Sequence, residues 1–245
     1  TGVANPYLLL EPSRTNLVTQ SEYFGGSDWI SSSNVTITDN VTTSPEGVQN
    51  AALINFTSGA NYFQNGGGGM VSGNTYTISC YVKRALSTDQ VFKIYGNGNI
   101  VSGNFTATSE WQRFTYTFTA ASTNFSCGLT TPSICQIHLY GFQVEQSTYA
   151  TSYIPTYSVS ATRAVDTSSK ADSSGVIGQT EGTMFLDFKL PKVSTPQNHT
   201  WVALRNTSAN DRVLIYMLGN STTLRAQIKA SGTATNFALG SISDN

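Results

Sequence analysis

Thr75-Tyr76-Thr77-Ile78-Ser79-Cys80-Tyr81-Val82-Lys83-Arg84 alternates without a break. Successive side chains of an extended chain point to opposite faces, so Tyr76, Ile78, Cys80 and Val82 share one side and Thr77, Ser79, Tyr81 and Lys83 the other. This is the pattern of a strand with one buried and one open face. Two further segments repeat it. Residues 111–119 place Phe114, Tyr116 and Phe118 together against Arg113, Thr115 and Thr117, with Trp111 or Phe114 and Phe118 as expected core anchors. Residues 134–145 place Cys135, Ile137 and Leu139 against Gln136, His138 and Tyr140. Shorter candidates occupy residues 52–57, 61–64 and 90–95. Helical periodicity is nearly absent, and residues 66–69, four consecutive glycines, suit only a loop. Many short strands with frequent turn signals predict an all-β chain, a jelly-roll β-sandwich.

Composition narrows the function classes. In 245 residues, hydrophobic side chains make up 39%, enough for a core, but charged ones only 11%, less than half the usual share. The surface must then be built from Ser, Thr, Asn, Gln and Gly, which suits extracellular and virion β-proteins, sugar contacts, or a solvated face with no ligand. A net charge of −1 gives no broad field, so neither nucleic acid nor a membrane is an expected partner. No run of 18 apolar residues occurs, as a spanning helix would need. Residues 1–7 lack a basic start and an apolar run, so no signal peptide is read there, and the absence of an initial Met suggests a fragment or processed product.

Cys80, Cys127 and Cys135 have no zinc-ligand spacing. Cys80 reads as a buried thiol. Cys127 and Cys135 flank Thr130-Thr131-Pro132-Ser133, read as a turn between two strands, where either a cross-strand disulfide or, in a reducing cytosol, two free thiols fit. Eight Asn-x-Ser/Thr triplets occur, as expected by chance in so Asn- and Ser-rich a chain.

Residues 158–178 turn small and polar and read as a linker or an exposed crossing strand. A new alternating pattern then begins at Gly182-Thr183-Met184-Phe185-Leu186, continues through Arg212-Val213-Leu214-Ile215-Tyr216-Met217-Leu218, and reaches Leu224, Ala226 and Ile228. About five strands give a second sandwich only its first strands, so more chain or another subunit must cover it. The organisation expected is a lead-in arm over 1–19, a jelly roll over 20–157, a linker over 158–178 and an incomplete second sandwich over 179–245.

The segments that frame the first module carry a resemblance. Leu8-Leu9-Leu10-Glu11-Pro12-Ser13-Arg14-Thr15-Asn16-Leu17 opens it, and Ser27-Asp28-Trp29, residues 75–83 and Trp111-Gln112-Arg113-Phe114 follow. Gly141-Phe142-Gln143-Val144-Glu145, Ser152-Tyr153-Ile154-Pro155-Thr156 and Ala161-Thr162-Arg163-Ala164-Val165-Asp166 close it. In order and spacing these resemble the carbohydrate-binding-module-like jelly rolls of bacteriophage tail-fibre and other virion structural proteins. The part from Gly182 resembles the opening of a laminin-G or concanavalin-like sandwich. The resemblance implies a non-enzymatic virion protein, assembled in the host cytoplasm. The leading expectation is a tail-fibre or spike subunit presenting its modules for attachment to host-surface glycan. A head-decoration or head-fibre protein contacting capsid and other subunits is the alternative. An accessory binding module of a polysaccharide-degrading enzyme is a third class. Fold likeness alone assigns no ligand.

Candidate chemistry is sparse. Nucleophile-elbow, zinc-protease and phosphate-loop patterns do not occur. Asp28, Asp39, Glu46 and Glu110 are scattered, so no cofactor and no metal are expected, although a structural calcium, which many sugar-binding jelly rolls hold, stays open. Glu11, Arg14, Glu145 and Arg163 are expected to pair as a latch at the module boundary, given how few charges the chain has. Tyr81, Lys83, His138 and Tyr140 fall on faces opposite the presumed core, and rings beside polar groups suit a pyranose, so they are the candidate carbohydrate-binding set. The apolar lead-in 1–10 and segment 183–239 are expected subunit contacts in a homo-oligomer, a trimer by resemblance.

Overall fold

The computed structural model of the protein describes residues 9–66, 69–97, 100–169, 183, 186, 188, 198–205 and 210–242. Two compact units divide the chain, Thr1–Ser169 and Lys170–Asn245. The chain is all-β. In chain order the strands of the first unit are β1 (Arg14–Asn16), β2 (Trp29–Ser31), β3 (Val35–Thr43), β4 (Gln49–Phe56), β5 (Tyr62–Asn65), β6 (Thr75–Arg84), β7 (Gln90–Gly96), β8 (Ile100–Val101), β9 (Phe105–Ala107), β10 (Gln112–Thr119), β11 (Cys127–Thr130), β12 (Cys135–Glu145) and β13 (Ala161–Arg163). They form a five-stranded sheet, ordered β10-β6-β12-β4-β3, and a six-stranded sheet, β2-β5-β11-β7-β8 with β9 on β7. The result is a jelly-roll β-sandwich, antiparallel throughout.

Alternation decides what is buried. Tyr76, Ile78, Cys80 and Val82 of β6, Ile137 and Leu139 of β12, and Ala52, Ile54 and Phe56 of β4 face inward, against Phe63, Phe92, Ile94 and Leu129 of the other sheet. Trp29 stacks on Phe63 with centroids 4.5 Å apart and meets Phe24 and Phe142 edge-on at 5.1 and 5.2 Å. Phe118 is buried, and Phe114 and Tyr116 pack at the core's margin. Trp111 corrects the expectation that it could anchor the core. It precedes β10 in phase with Arg113, which points it to the opposite face, where its indole N–H donates to the Thr43 carbonyl at 3.0 Å.

The three cysteines are buried and free. Burial pushes each thiol up to about 12. Residues 131–134 are not a turn within one sheet, since β11 belongs to the six-stranded sheet and β12 to the five-stranded one.

The frame around the sandwich is itself a small sheet. β1 and β13 lie in the stretches read from sequence as lead-in and linker, and they pair antiparallel from Arg14↔Arg163 to Asn16↔Ala161. Beyond them, Asp166 N–H donates to Glu11 O at 2.9 Å and Glu11 N–H to the Asp166 carboxylate at 3.0 Å.

The second unit's described strands are β14 (His199–Arg205), β15 (Arg212–Met217), β16 (Thr223–Ala230) and β17 (Thr233–Ser241), a four-stranded antiparallel sheet in chain order. Register places Val202, Ile215, Ala226 and Phe237 in one row across it. On that face Met217 is buried, while Leu204, Ile228 and Phe237 are exposed. Most of residues 182–190, read as a strand from sequence, lie outside the described residues.

Candidate functional site

The outer face of the five-stranded sheet is where the exposed chemistry gathers. Register sets Arg113 beside Tyr81, Tyr81 beside Tyr140, Lys83 beside His138, His138 beside Leu53, and Gln136 beside Asn55. Tyr81, Lys83, Trp111, Arg113, Gln136 and His138 are all half-buried. The Lys83 ammonium sits 5.0 Å from the Trp111 ring centroid and the Arg113 guanidinium 5.5 Å from that of Tyr81, both within cation–π range.

The β3–β4 hairpin arches over one end of this face. β3 carries extra residues between Thr38 and Thr42 relative to β4, and Asn40 has φ of 58°. Such a bulge bends a strand. Asp39 fixes the bend by accepting the backbone N–H groups of Phe24 and Gly25, both at 2.9 Å. The bent hairpin reaches across to Trp111, on the far edge of the sheet, through Thr43. We call the outer face beside this bridge the recess; Tyr81, Lys83 and His138 are half-buried on it.

Tyr140, expected as a sugar contact, is corrected by this geometry: it is 1% exposed. Its ring packs edge-on to Tyr153 at 5.5 Å, and its hydroxyl donates to Glu22 at 3.4 Å. Tyr153 and Tyr157 donate to the same carboxylate. Burial first, then the nearby Glu22 and Glu46 carboxylates, push the Tyr140 phenol well above its ordinary range. Gly141 allows this packing: it has φ of 62°, and a Cβ there would stand 3.3 Å from the Tyr81 ring. Tyr140 is therefore covered on the outer face by Tyr153 and Glu22.

His138 has a buried Nδ1 with no hydrogen-bond partner. Burial, then the Lys83 charge beside it, pulls its pKa below the ordinary value, so it is neutral at physiological pH.

The four latch charges separate into different roles. Arg163 pairs with Glu11 and also donates to the Pro12 carbonyl at 3.3 Å. Burial works to raise the Glu11 carboxyl, but the Ser152 hydrogen bonds and Arg163 outweigh it and hold it below its ordinary value. Among the described residues Glu145 does not pair with an arginine, which corrects that expectation. The turn after β12 returns Thr151 to its side, and the buried carboxylate accepts both the Thr151 N–H, at 2.9 Å, and its hydroxyl. Arg14 likewise has no carboxylate partner among the described residues. It donates to the Ser13 carbonyl at 2.9 Å and lies over the Tyr149 ring. A cavity of about 290 Å³ beside it is lined by Ser13, Arg14, Thr15, Leu17 and Gln146, with no aromatic ring to cover a sugar.

Asn16 was not singled out by sequence, yet it is the polar keystone of the frame. Fully buried, it donates to Ile154 O at 2.9 Å and Phe142 O at 3.3 Å, and its Oδ1 accepts from Val18 at 3.2 Å and Val144 at 3.1 Å. Among the described residues, no group of three or more His, Cys, Asp or Glu side chains could hold a metal ion.

No family model and no curated protein matches the chain. Similar solved structures include the paired carbohydrate-binding and catalytic modules of a Clostridium thermocellum endo-1,4-β-xylanase complexed with xylohexaose. The match has 16% identity and a TM-score of 0.43, and covers 58% of this chain and 30% of that one. A xylan-binding domain from a Paenibacillus barcinonensis xylanase matches at 15% identity and TM-score 0.40, covering 56% of this chain and 94% of that one. The enzymatically active domain of a bacteriophage CBA120 tailspike protein matches at 9% identity and TM-score 0.36, covering 53% and 21%. Likeness of this extent assigns neither ligand nor role.

Proposed function

We propose that this chain is a non-enzymatic structural component of a phage virion, a tail-fibre or spike subunit whose first unit holds host-surface glycan in the recess of the five-stranded sheet. The observation that carries the glycan reading is the half-buried set of Tyr81, Lys83, Trp111 and His138 beneath the β3–β4 hairpin. Ring faces cover the apolar side of a pyranose, and the polar groups between them meet its hydroxyls. The charge-poor surface and the framing motifs support the virion setting.

Two experiments test the two halves. A glycan array, probed with the full chain and with the Tyr81→Ala/Trp111→Ala variant, should show binding by the first and loss in the second. Silence across the array contradicts the glycan reading. Antibody labelling of intact particles should decorate the tail. Label on the capsid shell instead supports a head-decoration role and overturns the tail placement.

A further inference from the structure

We infer that the glycan taken by the recess is acidic, carrying carboxylate or phosphate groups. This rests on the recess being the glycan site and names the class of sugar it takes.

Charge is scarce in this chain, with 13 Lys and Arg among 245 residues, so where cations stand unpaired is informative. Among the described residues, two arginines of the first unit are matched by carboxylates, Arg84 by Asp89 at 2.8 Å and Arg163 by Glu11. Arg14, Lys83, Lys93 and Arg113 have no such partner, and of these Lys83 and Arg113 lie on the outer face of the five-stranded sheet. They stand on neighbouring strands as diagonal neighbours across the Arg113↔Tyr81 pair, a spacing of roughly 7–8 Å on a sheet. Every partner found for them is neutral. Arg113 donates to Ser79 Oγ at 2.9 Å and Thr151 O at 2.7 Å, and lies over Tyr81. Its Nε is buried without a partner. Lys83 lies over Trp111. No carboxylate pairs directly with either head, and the buried Glu145 carboxylate reaches Arg113 only through Thr151. An ionised acceptor can pair with them directly, through charge-assisted hydrogen bonds stronger than those of a neutral hydroxyl.

Two acidic residues near this face are engaged by tyrosines. Glu22 receives the hydroxyls of Tyr140, Tyr153 and Tyr157, and Glu46 lies in the hairpin, acting on Tyr140.

The test uses two matched pairs of polymers: polygalacturonate with its fully methyl-esterified form, and a phosphomannan with an unphosphorylated mannan. The full chain should bind an acidic polymer and not its neutral partner, with affinity falling as salt rises. Which acidic polymer binds tells carboxylate from phosphate. Lys83→Gln should weaken that binding about ten- to a hundredfold, the equivalent of one charge-assisted hydrogen bond, and Lys83→Arg should restore most of it. Equal binding of the neutral partners, lost in Trp111→Ala, overturns the acidic inference and leaves the glycan site standing. Binding of none of the four polymers overturns the inference, and silence across the whole array removes the site as well.

Discussion

Trp111 and Thr43 belong to opposite edges of one five-stranded sheet, yet the indole N–H of the first donates to the carbonyl of the second at 3.0 Å. A flat sheet of that width would hold them far apart, since neighbouring strands lie about 4.8 Å from each other. The bond exists because β3 is bent at Asn40 and the hairpin beyond it folds over the face. It brings the hairpin against Trp111 on the outer face.

Replacing Trp111 with Phe keeps a ring under Lys83 and removes the N–H. Loss of this single bond should cost about 1 kcal/mol of stability, read by urea denaturation, and should raise the amide exchange of the hairpin residues 44–48. An unchanged exchange pattern would mean that the hairpin is held by its own turn alone.

Asn16 makes four hydrogen bonds from a fully buried amide. Asn16→Ala leaves buried backbone groups of β12 and the closing segment without partners, at about 1–3 kcal/mol for each group left unmade. A total loss of about 3 kcal/mol or more is expected in the denaturation midpoint of the first unit. A loss under about 1 kcal/mol would show that water replaces the amide freely.

His138 gives the sandwich a pH dependence of defined sign. Its pKa in the folded chain lies below the ordinary 6.5, from burial and then from Lys83, so the unfolded chain binds a proton more readily than the folded one. Its contribution to stability is intact above about 6.5 and declines as pH falls below that value. Denaturation series between neutral pH and about 5 should show this decline in the native sequence and a flatter profile in His138→Gln. The lowered Glu11 carboxyl acts in a separate window, below its ordinary 4.5. Identical profiles for the two proteins would rule out His138 as the source.

Much of this architecture is legible in the sequence because strict alternation leaves no choice of face. The strands β6, β10 and β12 follow from residues such as Ile78, Phe118 and Leu139, each one of a run with period two. Parity also marks Trp111 as an outer-face residue, since it is in phase with Arg113, but its size suggests a core role until Thr43 is seen to receive it. The strand that borders the recess, β3, is hidden because Asp39 and Asn40 break its alternation, and a bulge reads as a turn. Tyr140 has the parity of an open residue and is nevertheless buried, because Glu22 and Tyr153, distant in sequence, fold over it. Asn16 carries no signal in the sequence beyond its place in the opening motif, and only the backbone groups of the closing segments that it bonds reveal its use.

Assembly is the remaining expectation of the virion reading. We propose a homo-oligomer, most simply a trimer, joined through the apolar face of the second unit's sheet, where Ile228 and Phe237 are 50% and 46% exposed. Light scattering on the full chain should give the mass of three copies, and Phe237→Asp should shift it towards one. A stable monomer at micromolar concentration would contradict this.

Whether glycan is held in the recess of the five-stranded sheet is decided by an affinity comparison. Host-surface polysaccharide is titrated into the native chain and into Tyr81→Ala/Trp111→Ala, each first shown to be folded by its near-ultraviolet dichroism. Binding by the native chain and at least a tenfold loss in the variant are expected. Equal affinity of the two proteins would place the glycan elsewhere and contradict its placement in the recess.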